Sequence, residues 1–214
     1  GAGQGTQLDA FEDAGSWQQP GYSSQSSGLD ASSMDIDTSV AYEGNASMKI
    51  SVTWGSGTTL REYNAGLPTF TFGSGDTISY MVYGDNSNTT LCFMLRDSDG
   101  DLLYHNPILL NFTGWKKFAW KYEDPFSKFA GGGDGAITGP VRVDSFFVRK
   151  GSSATSNTFR IDDLRVSGTG NSSSDAVAAI QWGTPTTSRL VYIGFPFETI
   201  LDETKRNNVM ARVI

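Results

Sequence analysis

I-S-Y-M-V-Y at residues 78–83, G-D-N-S-N at 84–88 and T-L-C-F-M-L-R at 90–96 form the stretch whose reading decides the fold. In an extended chain successive side chains point to opposite faces. Leu91, Phe93 and Leu95 therefore point one way, and Cys92, Met94 and Arg96 the other. Large groups on both faces suit a central strand of a packed sandwich. The five residues of turn chemistry between the two runs predict a hairpin. After Arg96, D-S-D-G-D at 97–101 predicts a second tight turn, followed by an apolar run over 102–110. Gly114 then opens W-K-K-F-A-W-K-Y over 115–122, so residues 76–122 read as the middle of an antiparallel all-β domain.

The flanks repeat the pattern. A-S-M-K-I-S-V-T-W at 46–54 sets Ala46, Met48, Ile50, Val52 and Trp54 on one face, with Ser47, Lys49, Ser51 and Thr53 on the other. Residues 60–63 and 69–72 read as short strands separated by an A-G-L-P turn. The polar stretch 18–33 has no periodicity and predicts a surface loop. Residues 127–140, with G-G-G-D-G, read as a glycine-rich loop, and 141–149 and 158–166 as closing strands. About ten short strands at this spacing predict an antiparallel β-sandwich over residues 1–168. Its expected core holds Met48, Ile50, Val52, Leu91, Phe93, Leu95 and Phe118, with Trp115 and Trp120 also reading as core.

The tail breaks the pattern. After the linker-like S-G-T-G-N-S-S-S, A-V-A-A-I-Q-W and R-L-V-Y-I-G-F read as two strands, and residues 202–214 as a helix with Asp202 at its N-cap. Val209, Met210, Val213 and Ile214 share a stripe at helical spacing. L-V-Y-I-G-F-P-F-E-T-I followed by R-N-N-V-M resembles the last strand and helix of flavodoxin-like α/β domains. So short a segment cannot bury a core of its own. Residues 169–214 are therefore expected to be a fragment of a neighbouring α/β domain in a larger protein; the alternative is a hairpin and helix docked on the sandwich. Ile214 ends in mid-stripe, and the opening G-A-G-Q-G reads as a cloning remnant or a flexible linker.

Composition limits the function classes. The 214 residues carry a formal charge of −7, which argues against a nucleic-acid partner, because phosphate binding needs a basic surface. No apolar run approaches the ~20 residues of a membrane span. Cys92, the single cysteine, excludes an internal disulfide and reads as a small hydrophobe on a strand. With one histidine, no G-x-S-x-G and no H-E-x-x-H, nucleophilic and metal-hydrolytic catalysis lack their usual parts. No carboxylate pair stands in an aromatic-rich strand context, as a glycosidase would want. The chain is expected not to be an enzyme. Sparse cysteine, low charge density and Ser/Thr/Asn-rich loops fit a secreted bacterial protein, extracellular or on the cell surface.

The ordered series F-E with a following Trp, E-G-N-A-S-M-K-I-S-V, Y-M-V-Y-G-D-N-S, L-R-D-S-D-G-D, G-W-K-K-F and F-R-I-D-D-L-R-V resembles the galactose-binding-like, jelly-roll carbohydrate-binding modules of carbohydrate-active enzymes. The resemblance spans residues 8–168 and implies a jelly roll, a structural Ca2+ and a concave sheet that binds polysaccharide. Carried over by position, it names Glu12, Gly44, Lys49 (by its carbonyl) and Asp162 around the ion, with Asp163 as substitute. Ca2+ takes six to eight oxygen ligands, and first and last strands of such sandwiches lie side by side, so these groups can converge. The alternative is that they are solvated turn acids. D-S-D-G-D lacks the twelfth-position Glu of an EF-hand loop, since Ile108 stands there, and reads as a hairpin turn.

Sugar binding needs flat rings and hydrogen-bond donors. Tyr83, Met94, Arg96 and Lys121 are expected on one non-core face, joined by Tyr104, His105 and Arg149 and flanked by Trp54 and Tyr63. Arg96 and Arg149 can instead pair with Asp97 or Asp144, and His105 can be an ordinary hydrogen-bonded loop residue. Two functions follow: a non-catalytic module that holds an attached secreted enzyme on its polysaccharide, or a structural or adhesion module of a surface assembly.

Overall fold

The computed structural model describes residues 5–18, 25–64, 66–152, 154–168, 180–182 and 190–192. The chain forms two compact units, Gly1–Ser172 and Ser173–Ile214. Strands in the first are β1 (Thr6–Asp9), β2 (Trp17–Gln18), β3 (Leu29–Asp37), β4 (Ser47–Trp54), β5 (Thr59–Asn64), β6 (Thr77–Asp85) and β7 (Thr90–Arg96). They continue with β8 (Leu102–His105), β9 (Ile108–Leu109), β10 (Thr113–Lys121), β11 (Phe126–Ala130), β12 (Arg142–Arg149) and β13 (Ser156–Ser167). In the second unit β14 (Ile180–Trp182) pairs antiparallel with β15 (Leu190–Tyr192). The expected C-terminal helix lies outside the described residues.

The first unit is a jelly-roll sandwich of two antiparallel sheets. Sheet A runs β10-β6-β13-β4-β3, with β1 beside β13. Sheet B runs β11-β8-β7-β12-β5-β2, with β9 beside β7. The first and last strands of the sandwich meet, as expected, with Thr6 opposite Val166.

Period-2 patterning builds the core. Met48, Ile50 and Val52 from β4 and Ile78, Tyr80 and Val82 from β6 come from sheet A. Leu91, Phe93 and Leu95 from β7 and Phe146 and Val148 from β12 close on them from sheet B. Each such buried side chain contributes roughly 1.5–3 kcal/mol through removal from water. Phe118 packs against this cluster while partly exposed, and Trp120 is fully buried.

Five expectations change. The turn 84–88 does not close a hairpin: β6 belongs to sheet A and β7 to sheet B. Asn86 and Asn88, both at φ 55°, steer the crossing, and their N–H groups donate to the carbonyls of Phe112 (2.9 Å) and Leu110 (3.0 Å). Asn tolerates this left-handed region better than most residues. The 97–101 turn does join paired strands, β7 and β8. β3 starts at Leu29, inside the stretch expected as loop, because its ladder with β4 supplies what periodicity did not. β11 likewise forms within the glycine-rich stretch by pairing with β8, and residues 69–72 retain only an isolated bridge, Phe70 to Val141. Trp115 is not core: it stands opposite Tyr83 with the outward parity of β10, whereas Trp120 has the inward one.

Candidate functional site

The outward face of sheet B is assembled by register. Tyr63, Ser145, Met94 and Tyr104 are successive cross-strand partners on β5, β12, β7 and β8. Neighbouring strands lie ~4.8 Å apart, so the two half-buried tyrosines stand ~14 Å apart across a low floor of Ser145 and Met94. On one side of this row lie Arg96, Arg142 and Leu102; on the other, Arg61, Phe147 and Cys92.

A β-bulge sets the electrostatics. The ladder of β12 with β7 slips between Val143 and Ser145, and the extra residue, Asp144, turns to the same outward side. Bulges commonly re-aim a side chain in this way. Asp144 is completely buried and ion-pairs with Arg61, with Arg96 (3.0 Å) and with Arg142 (3.6 Å). Arg96 also donates to the Gly100 carbonyl at 2.9 Å, and Arg61 to Ser145 Oγ at 3.1 Å. The guanidiniums of Arg61 and Arg142 lie 5.2 and 5.8 Å from the Tyr63 ring centre, which anchors that ring among the cations. One anion thus fixes three planar donors and, through them, a tyrosine.

Beyond the row is an apolar floor outside the main core. Cys92, Met94, Leu102 and Phe147 cluster there, with Tyr104 and Phe129 packed against them. Phe129 lies 5.3 Å from Phe147 and 6.4 Å from Tyr104, and the exposed Arg149 sits 5.6 Å over Phe147. Burial pushes the Cys92 thiol up to about 11, so it stays a neutral part of this floor.

Of the expected sugar-contacting residues, Tyr63, Met94, Arg96, Tyr104 and Arg149 share this face. Tyr83 and Lys121 do not: they face outward from sheet A, because β6 and β10 belong there. Trp54 is buried, and its indole N–H donates to Asn157 Oδ1. His105 has the inward parity of β8 and stacks on Trp120 at 5.6 Å. Burial lowers its pKa, against the pull of Asp124, 3.6 Å away. Sequence reading missed Arg61, Arg142, Ser145, Phe129 and Phe147 and offered Asp144 only as an ion-pair partner. The charged Asp in V-R-V-D-S-F-F-V-R, where alternation breaks, was the available signal.

The residues named for Ca2+ are partly gathered. Glu12 Oε1 accepts from the Asn45 N–H at 2.8 Å, and a Cβ on Gly44 would collide with that carboxylate. Asp162 Oδ2 accepts from the N–H groups of Tyr42 (2.7 Å) and Glu43 (3.1 Å), gripping the same turn from the other strand. Burial raises the Asp162 pKa, opposed by hydrogen bonds from Tyr42, Glu43 and Asp163. Two carboxylates around one turn are a hard-oxygen set that suits Ca2+. Asp163, at φ 51°, bonds instead with Arg165, and Lys49 lies in mid-ladder between Asp35 and Arg160.

Asp97, Asp99 and Asp101 also draw together, but as a clamp. Asp101 accepts from Gly133 (2.9 Å) and Gly135 (2.5 Å), and Asp97 from Thr138 (3.1 Å). Lys128 pairs with Asp101 at 2.7 Å, so this turn pins the 131–139 loop beside the face.

No protein-family model matches the chain, and no curated protein matches it. Solved structures do. The chain is similar to a family 11 carbohydrate-binding module from Clostridium thermocellum in complex with a beta-1,3-1,4-mixed-linked tetrasaccharide. Identity is 18% over 78% of this chain and 97% of that one, with TM-score 0.56. A family 11 module of the cellulosomal cellulase Lic26A-Cel5E of the same organism matches at 17% identity, over 78% and 96% of the two chains, with TM-score 0.53. At such identities the likeness establishes the jelly-roll fold.

Proposed function

We propose that the sandwich is a non-catalytic carbohydrate-binding module that holds polysaccharide on the outward face of sheet B. The observation that carries this is the row Tyr63–Ser145–Met94–Tyr104, a flat floor with a ring at each end and three arginines beside it. Rings take the C–H faces of pyranoses, while guanidinium groups donate to hydroxyls. The ~14 Å between tyrosines suits an oligosaccharide segment better than one sugar. Asp144, taken up by its arginines, serves as scaffold for these donors. The reading is supported by the fold shared with modules that bind glycans, and it extends to a chain outside the cell that anchors an attached enzyme to its substrate.

Affinity on the order of 10⁻⁵ to 10⁻³ M is expected of so open a face. Tyr63→Ala and Tyr104→Ala should each abolish measurable retention in native gels containing mixed-linked β-glucan or xylan. Melting temperatures should stay within a few degrees. If no glycan on an array binds the parent, or both variants bind like it, the face meets protein and the adhesion role replaces this one.

Glu12 and Asp162, with the turn at Gly44, would hold Ca2+, which would supply a structural cross-link between the opening segment, the β3–β4 turn and β13. An ion bound only by the folded state stabilises it by mass action, by about 2.7 kcal/mol at a hundredfold excess over its dissociation constant. Millimolar Ca2+ should therefore raise the melting temperature by several degrees, and Glu12→Gln should remove the gain. An unchanged melting curve after EDTA, with no metal by mass spectrometry, would sink the idea.

A further inference from the structure

The other side of the sandwich carries a second group of rings. On the outward face of sheet A, β10 presents Trp115, Lys117, Ala119 and Lys121 opposite Tyr83, Met81, Ser79 and Thr77 of β6. Tyr83 and Trp115 meet edge to face at 5.3 Å, and Tyr42, from the turn between β3 and β4, meets Trp115 at 5.8 Å. Tyr42 is 52% exposed, the most open large hydrophobic side chain among the described residues. Arg160 lies 5.4 Å over the Tyr83 ring and is fixed by Asp37 at 2.7–2.8 Å. The core lies on the other side of the sheet, so packing does not require these rings.

Size and charge decide what fits. Large aromatic side chains present ~150–250 Å² each, so with one ring half-open and two half-buried roughly 200 Å² is available. A stable protein interface takes ~800 Å² per partner. A ligand of one or two sugar rings at this spot fits better. With a ~3.4 Å rise per residue, Lys117 and Lys121 follow Trp115 at ~7 and ~20 Å along the same face. Both are exposed. A ring followed by spaced cations along an edge strand matches an extended chain of regularly spaced carboxylates.

We propose that Tyr42, Trp115 and Tyr83, with Lys117 and Lys121, form a second glycan site for a polyuronate, on the opposite side of the module from the Tyr63–Tyr104 row. Each face then engages its own chain, and one module can bridge two polysaccharides.

The test is native affinity electrophoresis of the full chain in gels containing polygalacturonate. A protein with a net charge of −7 has no general attraction to a polyanion, so retardation reports a local site. The parent should be retarded, more strongly at low salt, and Trp115→Ala and Lys117→Glu should each weaken this by about tenfold. Lys150→Glu, the same charge change away from the face, should leave the retardation intact. Lys117→Glu is a surface change and should keep the parent melting temperature, so its loss of binding is not unfolding. A parent that migrates as in polymer-free gels overturns the proposal, as does parent-like retardation of both Trp115→Ala and Lys117→Glu, or a weakening by Lys150→Glu as large as theirs.

Discussion

Asp144→Ala should lower the melting temperature by about 10 °C, the largest effect expected of any single change on the outward face of sheet B. The substitution removes a fully buried carboxylate shared by Arg61, Arg96 and Arg142. Stripping one partner from a buried ion pair costs about 3–5 kcal/mol, because the remaining charge is left without compensation. Arg96 and Arg142 keep about a third of their side chains in water, which favours the low end of that range. In a protein of this size ~3 kcal/mol corresponds to roughly 6–12 °C. Glycan retention should disappear too, since the anchored guanidiniums flank Tyr63. Calorimetry on parent and variant decides it: a shift under ~2 °C would mean that the arginines are solvated well enough without the carboxylate.

The second large effect is a pH dependence centred on Glu62. Its carboxyl is completely buried on β5, and neither oxygen has a hydrogen-bond partner among the described residues. Burial pushes its pKa up to about 8, from an ordinary value of 4.5. The folded state thus keeps a proton that the unfolded chain releases at lower pH. Its contribution is fully present below pH ~4.5, declines as pH rises from there, and is lost once pH passes ~8. The difference is on the order of 4 kcal/mol. Melting temperature should therefore fall by ~10 °C between pH 5 and pH 9. Glu62→Gln, neutral throughout, should flatten most of that slope. Parallel curves for parent and variant would show that Glu62 finds a charge partner or water when ionised.

The unusual position of Glu62 was invisible to composition and pattern. L-R-E-Y alternates like any strand, and only the sandwich shows that Leu60, Glu62 and Asn64 take the inward parity of β5. Asp162 and Glu12 were legible as a pair because they bracket the chain, and strands from the two ends of a sandwich tend to meet. Asp163 was not separable from Asp162 in sequence. The slip between Asp162 and Arg165 turns the two acids to different partners.

What the sequence alone determined is the inside and outside of the strands with the cleanest alternation, β4 and β7. Alternation is local, since successive side chains of an extended chain must point to opposite sides. Leu91, Phe93, Leu95, Met48, Ile50 and Val52 are buried for that reason. Tyr83, Arg96 and Lys121 were likewise read correctly as pointing away from the core. What only the tertiary structure decided is which outside. A sandwich has two, and parity cannot tell them apart: Arg96 looks out from sheet B, while Tyr83 and Lys121 look out from sheet A. The choice was made where Asn86 and Asn88 carry the chain from one sheet to the other, bonded to Phe112 and Leu110 more than twenty residues away. A long-range hydrogen bond of that kind leaves no trace in local periodicity. It separates one expected binding face into two.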